Sequence, residues 1–257
     1  MSRAPELHIF PDPQELAIKA ADFVLWSGEQ AIAGRGRFVV ALSGGSTPRA
    51  LYSILARPSF AQRLDWSKVH FLFGDERGVP PSHPDSNFAM ANEVLFTPLR
   101  ISPTQIHRMR GDEQPETAAA QYEDTLRRLT ATAPGQWPVL DLVLLGMGDD
   151  GHTASLFPGT ASLTERTRWV VPSVAPQGTR SRLTLTLGVI NHASVILFLV
   201  TGLNKAHILR RVIERPPMDP VLYPAELVQP ESGRLLWYLD QAAASELSLS
   251  VQDLSSR

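Results

Sequence analysis

Short apolar runs punctuate this 257-residue chain, and each is separated from the next by a longer stretch of helical periodicity. Residues 139–145 (Val-Leu-Asp-Leu-Val-Leu-Leu) and 195–200 (Val-Ile-Leu-Phe-Leu-Val) read as largely buried strands. Strands buried on both faces need cover on both sides, and the intervening periodic stretches supply it as helices. The fold class expected is therefore α/β, with a mainly parallel sheet flanked by helices. Further strands are expected at 37–42, 69–73, 169–171, 183–187 and 235–238, and helices at 13–33, 48–55, 87–95, 116–130, 204–214 and 241–246. Within 116–130, Ala119, Tyr122, Leu126 and Leu129 share one face and should lie on the sheet. Proline-rich breaks at 79–84, 133–138 and 215–224 are too short to separate domains, so residues 1–257 read as one domain.

Charge and composition narrow the partners. The net charge is −2 and the basic residues are scattered, so neither nucleic acid nor an anionic membrane is an expected partner. The chain has no cysteine, which excludes disulfides, thiolate chemistry and cysteine-ligated zinc. Its strongest apolar run, 195–200, is far too short to span a bilayer. A cytosolic protein, monomeric or weakly homo-oligomeric, is expected.

The strand at 139–145 runs into Gly146-Met147-Gly148-Asp149-Asp150-Gly151-His152, a glycine-hinged loop carrying a histidine and two carboxylates. In open α/β sheets ligands bind at the carboxyl ends of strands, where this loop falls. A carboxylate bonded to one imidazole nitrogen fixes the tautomer and leaves the other nitrogen to take a proton from water. His152 is thus a candidate general base. The other histidines, His8, His70, His83, His107, His192 and His207, are dispersed, so no dedicated metal site is expected.

The strand at 37–42 enters Ser43-Gly44-Gly45-Ser46-Thr47-Pro48. Here Pro48 suits the first helical position and Thr47 the N-cap. Adjacent glycines, two serines and a helix start suit a phosphate, although a plain capped turn reads equally well. The P-loop and dinucleotide fingerprints are absent. The strand at 69–73 ends in Gly74-Asp75-Glu76-Arg77. This is either a solvated turn with a local ion pair or a site in which Arg77 meets an anionic oxygen while Asp75 or Glu76 fixes its guanidinium or a sugar hydroxyl. Ser86 or Asn87 reads as a helix cap. Downstream, either Arg180 or Arg182 could close on a phosphate, and Lys205 stands at a helix start, where a cation is unfavourable unless it serves an anion.

In this order, five segments closely resemble the 6-phosphogluconolactonase family: residues 43–48, 74–87, 146–158, 182–186 and 202–206. That family belongs to a wider group, including glucosamine-6-phosphate deaminases and ribose-5-phosphate isomerases, with a modified Rossmann-like fold. The resemblance implies hydrolysis of 6-phospho-D-glucono-1,5-lactone in the oxidative pentose phosphate pathway, without cofactor or metal. It implies a catalytic set of His152, Asp150, Arg77 and Asp75. It also implies a phosphate site made by Ser43, Gly44, Gly45, Ser46, Thr47, Arg182 and Lys205. The alternative within the group is a deaminase or isomerase, in which Asp75 would move a proton between carbons. Deaminases usually carry a glutamate where this chain has Phe157, which favours the lactonase. A non-catalytic sugar-phosphate sensor is a further alternative, disfavoured by the retention of Asp150 and His152.

Overall fold

A computed structural model describes residues 4–214 and 223–248, so most of the proline-rich break at 215–224 lies outside the described residues. Six strands form one wholly parallel sheet in the order β1-β9-β8-β5-β2-β3. They are β1 (Glu6–Phe10), β2 (Phe38–Leu42), β3 (Val69–Phe73), β5 (Leu142–Leu145), β8 (Val195–Val200) and β9 (Arg234–Asp240). The expected class, a mainly parallel sheet flanked by helices, is what forms. β2 and β5 are buried along their whole length, and each Val, Leu or Phe side chain so enclosed contributes about 1.5–3 kcal/mol. One core cluster gathers Leu16, Leu25, Phe38 and Tyr52 with their neighbours, the other Tyr122, Leu126, Phe198 and Trp237.

The strand order places the site. From β2 the chain steps outward to β3, whereas from β5 it steps the other way through β8 to β9. β2 and β5 are therefore the neighbours at which the winding reverses, with Val40 opposite Leu142 and Ala41 opposite Val143. Their carboxyl ends open the crevice in which such sheets bind ligands. The Ser43 loop leaves one of these ends and the His152 loop leaves the other.

A second, antiparallel sheet was not expected. It has the order β4-β7-β6, formed by β4 (Asp75–Arg77), β7 (Ser181–Leu185) and β6 (Val170–Val174). Gly74 hinges the two sheets: its N–H bonds the Leu42 carbonyl at 2.8 Å and its carbonyl accepts from Leu185 N at 2.8 Å. The three charges Asp75-Glu76-Arg77 are thus a strand and not a turn.

Other boundaries move for identifiable reasons. The strand expected from 139 begins at Leu142, because Val139 is exposed and Asp141 turns its carboxylate to Val39 N (2.7 Å) and Arg35 (2.5 Å). The strand expected over 183–187 ends at Leu185, and Leu187 starts a short helix, Leu187–Asn191. The helix expected over 87–95 is α-helical only over Asn87–Ala91 and continues as a π-turn, Asn92–Phe96. The wider turn accommodates the burial of consecutive Leu95 and Phe96. Residues 241–246 form turns: after the Ala244 N–H to Asp240 carbonyl bond, the bonds from Ser245 and Leu247 each span only three residues. The helix Pro115–Thr130 forms as read, with Ala119, Tyr122 and Leu126 buried. Among the described residues no helix is long and apolar enough to cross a membrane.

Candidate active site

The histidine loop closes on itself before it presents its base. Gly148 N–H bonds the His152 carbonyl (2.9 Å), Gly151 N–H bonds the Gly148 carbonyl (3.1 Å), and Thr153 Oγ1 donates to the Gly146 carbonyl (2.8 Å). A Cβ on Gly148 would lie 2.1 Å from His152 Nδ1, so only glycine lets the ring fold back over the loop. Asp150 Oδ1 accepts from the His152 backbone N–H (3.1 Å) and lies 2.5 Å from ring Nδ1. Burial alone would raise the Asp150 pKa, but the hydrogen bond and the charge of His152 outweigh it and hold the carboxyl below its ordinary value. The opposite face of the imidazole meets Phe157, with ring centroids 4.6 Å apart. His152 Nε2 has no hydrogen-bond partner among the described residues.

β4 supplies the charged wall. Asp75 is buried; its Oδ2 accepts from Ser155 Oγ at 2.6 Å and its Oδ1 from Asn87 Nδ2 at 3.2 Å. Glu76 is also buried and accepts from the N–H groups of Arg77, Asn87 and Phe88 and from Ser86 Oγ. Burial raises its pKa against the pull of those N–H groups. Glu76 thereby ties β4 to the start of helix Asn87–Ala91, for which Ser86 is the N-cap. Asn87, the other cap candidate, instead holds Asp75.

Arg77 and Arg182 are register partners across β4 and β7. The Nε of each is buried without a hydrogen-bond partner among the described residues. Burial, and then the charge of Arg77, lowers the pKa of Arg182. Two confined guanidiniums with donors unspent are chemically suited to an anion. Arg77 also donates to the Asp85 carbonyl at 2.6 Å. Arg180 is exposed and absent from the cleft lining, so Arg182 is the arginine of this segment that faces the site.

On the far side, helix Ser46–Leu55 starts from Gly45 (φ 107°), not from the expected Thr47 cap. Thr47 Oγ1 is instead 2.8 Å from Thr201 Oγ1. With glycine as cap, no side chain occupies the first amides, which stay available to a ligand. Tyr52 Oη clamps both backbone groups of Ser43, and Ser43 Oγ is buried without a hydrogen-bond partner among the described residues. Gly44 is required by Asn87, whose Oδ1 would lie 1.9 Å from an added Cβ. Lys205 is the last residue of the turn Leu203–Lys205 and pairs with Asp149, which also accepts from Asn204. That partner answers the unfavourable helix-start position read from the sequence.

These groups surround one cleft with two lobes. A lobe of 460 Å³ takes in Asp150, Ser155, Phe157, Gln177 and Arg182, and one of 260 Å³ takes in Ser43, Gly44, Gly148 and Lys205. Asp75, Arg77, His152 and Ala154 line both. Among the described residues, no group of three or more histidine, aspartate or glutamate side chains is arranged to hold a metal ion. Ser155 was not foreseen as a site residue; nothing in its local sequence signals a partner 80 positions away.

A parallel sheet with its reversal point at β2 and β5, and a base and paired arginines over that point, define an α/β enzyme class with a cleft for a small anionic substrate. Within that class, residues 11–237 match the family described as glucosamine-6-phosphate isomerases/6-phosphogluconolactonase, and the chain belongs to it. It is 44% identical over 244 residues to a 6-phosphogluconolactonase of Nostoc sp., covering 95% of this chain and 98% of the relative. It is 39% identical to one of Haemophilus influenzae, covering 79% and 85% respectively. Among solved structures, 6-phosphogluconolactonase from Trypanosoma cruzi superposes with a TM-score of 0.85 at 29% identity, covering 96% of this chain and 98% of that one. A monomeric glucosamine-6-phosphate deaminase shares the fold, with a TM-score of 0.77 at 23% identity.

Proposed function

We propose that this chain hydrolyses 6-phospho-D-glucono-1,5-lactone to 6-phospho-D-gluconate, as in the oxidative pentose phosphate pathway, with His152 as the general base. The carrying observation is the His152–Asp150 pair, whose Nδ1 side is engaged and whose Nε2 is unbonded beside a cleft bearing Arg77 and Arg182. Its relatives' activity supports the choice of substrate.

In this reading Asp150 holds Nδ1 protonated, so Nε2 accepts the proton of a water as its oxygen attacks C1. Charge gathers on the former carbonyl oxygen, where Arg77, which lines both lobes of the cleft, is the candidate donor; losing such a donor typically costs about a hundredfold to a thousandfold in rate. The tetrahedral species collapses by breaking the bond from C1 to the ring oxygen, which takes the proton from His152. The phosphate is held by the Ser43–Thr47 helix start, Lys205 and Arg182, and this remote binding orients the reacting carbon. Asp75, tied to Ser155 and Asn87, serves as a fixed acceptor for a sugar hydroxyl. A single-domain, cytoplasmic protein, monomeric or weakly homo-oligomeric, completes the proposal.

The test is acid release from the lactone, corrected for spontaneous hydrolysis, for wild type and His152→Ala. Equal rates in the two proteins would exclude the general base. Ammonia release from glucosamine 6-phosphate would instead favour the deaminase reading, against which Phe157 stands.

A further inference from the structure

One sizeable cavity among the described residues lies outside the cleft. At 570 Å³ it lies behind β4, with Phe88 and Phe96 in its wall and Arg100, Arg108 and Arg110 among its lining. No aspartate or glutamate lines it. Size, aromatic surface and a few convergent donors are the usual attributes of a small-molecule site.

The arginines differ in how far they are already engaged. Arg108 is forked onto Asp112 (2.8 and 3.4 Å), and Arg110 uses one Nη on Glu113 (2.7 Å). Arg100 makes no ion pair among the described residues, and its backbone is left-handed (φ 54°, ψ 43°) at the end of the π-turn and the helical turn that follows it. That conformation ends the helical turn, of which Arg100 is the C-cap. An adjoining depression shares Arg108 and Arg110 and adds Arg128. Asp112, Glu113 and Asp124 offset much of this positive charge, and the Arg100 guanidinium has no ion-pair partner among the described residues.

One lining residue bonds the strand that carries Asp75 and Arg77, and two neighbours of the lining reach that strand or the end of β3 just before it. The Phe88 N–H donates to Glu76 Oε2 at 2.9 Å. Gly111, directly after Arg110, packs so closely on β4 that an added Cβ would lie 2.0 Å from the Arg77 carbonyl oxygen. Tyr122 Oη accepts from Phe73 N (2.7 Å), two residues before Asp75, and contacts the carbonyl of the lining residue His107 at 3.2 Å.

We propose that this cavity is a second ligand site, for a phosphorylated compound with a flat ring, and that its occupancy alters product binding in the catalytic cleft through β4. The ring would lie on the partly exposed Phe88, and the phosphate on Arg100 and the free donors of Arg110. Coupling between two binding sites is reciprocal and can be read from either side.

Adenosine 5′-monophosphate is a suitable probe. Calorimetry is run on wild type and on the Arg100→Ala/Arg110→Ala double variant, whose lactone hydrolysis reports that it is folded. The expected result is saturable nucleotide binding to wild type already saturated with 6-phosphogluconate. The dissociation constant for 6-phosphogluconate should change by about fivefold or more with nucleotide present, a typical coupling size. Both effects should vanish in the double variant. The proposal is overturned by absence of saturable binding up to about 10 mM, above the millimolar range of even weak sites. Binding without any change in product affinity also overturns it. So does an effect that survives in the double variant, because that marks competition in the cleft itself.

Discussion

Ser155 Oγ donates to Asp75 Oδ2 at 2.6 Å, and this bond fastens the histidine loop's exit to the strand that carries the charged wall of the cleft. Both residues are buried, so neither end of the bond can turn to water instead. Replacing Ser155 by Ala should cost about 1.5–3 kcal/mol, the range for a hydrogen bond to a charged group. It should also lower turnover, because Asp75 keeps only Asn87. Urea unfolding with parallel rate measurements checks this, and unchanged values for both would remove Ser155 from the site.

Asp150→Asn preserves shape but removes the charge that holds the His152 ring. Turnover should fall by about a hundredfold or more, the scale of general-base catalysis. Binding of 6-phosphogluconate, measured by calorimetry, should change much less. A parallel loss of both would indicate that the loop has collapsed.

Arg182→Ala separates phosphate recognition from chemistry. The KM for the phosphorylated lactone should rise by roughly tenfold to a hundredfold, as expected when a charge-assisted contact to an anion is lost. Hydrolysis of unphosphorylated gluconolactone should be nearly unaffected. Equal effects on the two substrates would move Arg182 from the phosphate to the reacting centre. Arg180→Ala, on an exposed side chain, should alter neither.

Stability should depend on pH through His107, whose pKa lies at about 4 instead of the ordinary 6.5, owing to burial and then to the charges of His70 and Arg128. Between these values the unfolded chain binds a proton that the folded chain refuses. The contribution is fully present above the ordinary value and is lost as pH falls towards the folded one. The thermal midpoint of wild type should therefore drop between about pH 7 and pH 5, and that of His107→Gln should drop less. Parallel curves for the two proteins would contradict this assignment.

Gly148→Ala tests the loop's reliance on space. The added Cβ would meet His152 Nδ1 at 2.1 Å, and the ring must swing away from Asp150. Activity should fall about as far as in Asp150→Asn, while the melting temperature moves little, because the crowded group lies at the surface of the cleft. A fully active variant would mean that the ring has room to spare.

What could be read from the sequence follows burial. β8 forms over the residues expected, because Val-Ile-Leu-Phe-Leu-Val has no stable place outside a covered sheet. His152 and Asp150 are close in sequence, and the glycines around them announce a tight loop, so their pairing was legible. β4 was not, because Asp-Glu-Arg looks like a solvated turn until its partners are known. Glu76 is satisfied by residues 86–88, and Asp75 by residues 87 and 155, and no local pattern encodes such meetings. Thr47 failed as a cap for a related reason: its hydroxyl is claimed by Thr201, 154 positions away. That Arg182 and not Arg180 stands opposite Arg77 is a matter of strand register, which no local pattern in the sequence encodes.

The pairing of β1 with β9 bears on how the chain is made. Among the described residues the strand partner of residues 6–10 is residues 236–240 alone, and Arg234 grips Glu6 through two bonds at 2.9 and 2.7 Å across 228 positions. β1 must therefore wait unpaired until residues 236–240 have been synthesised. Closing that edge is thus a late event in biogenesis, with a contact of long sequence separation that slows folding. Until then, an early segment of the nascent chain is exposed to holdase chaperones.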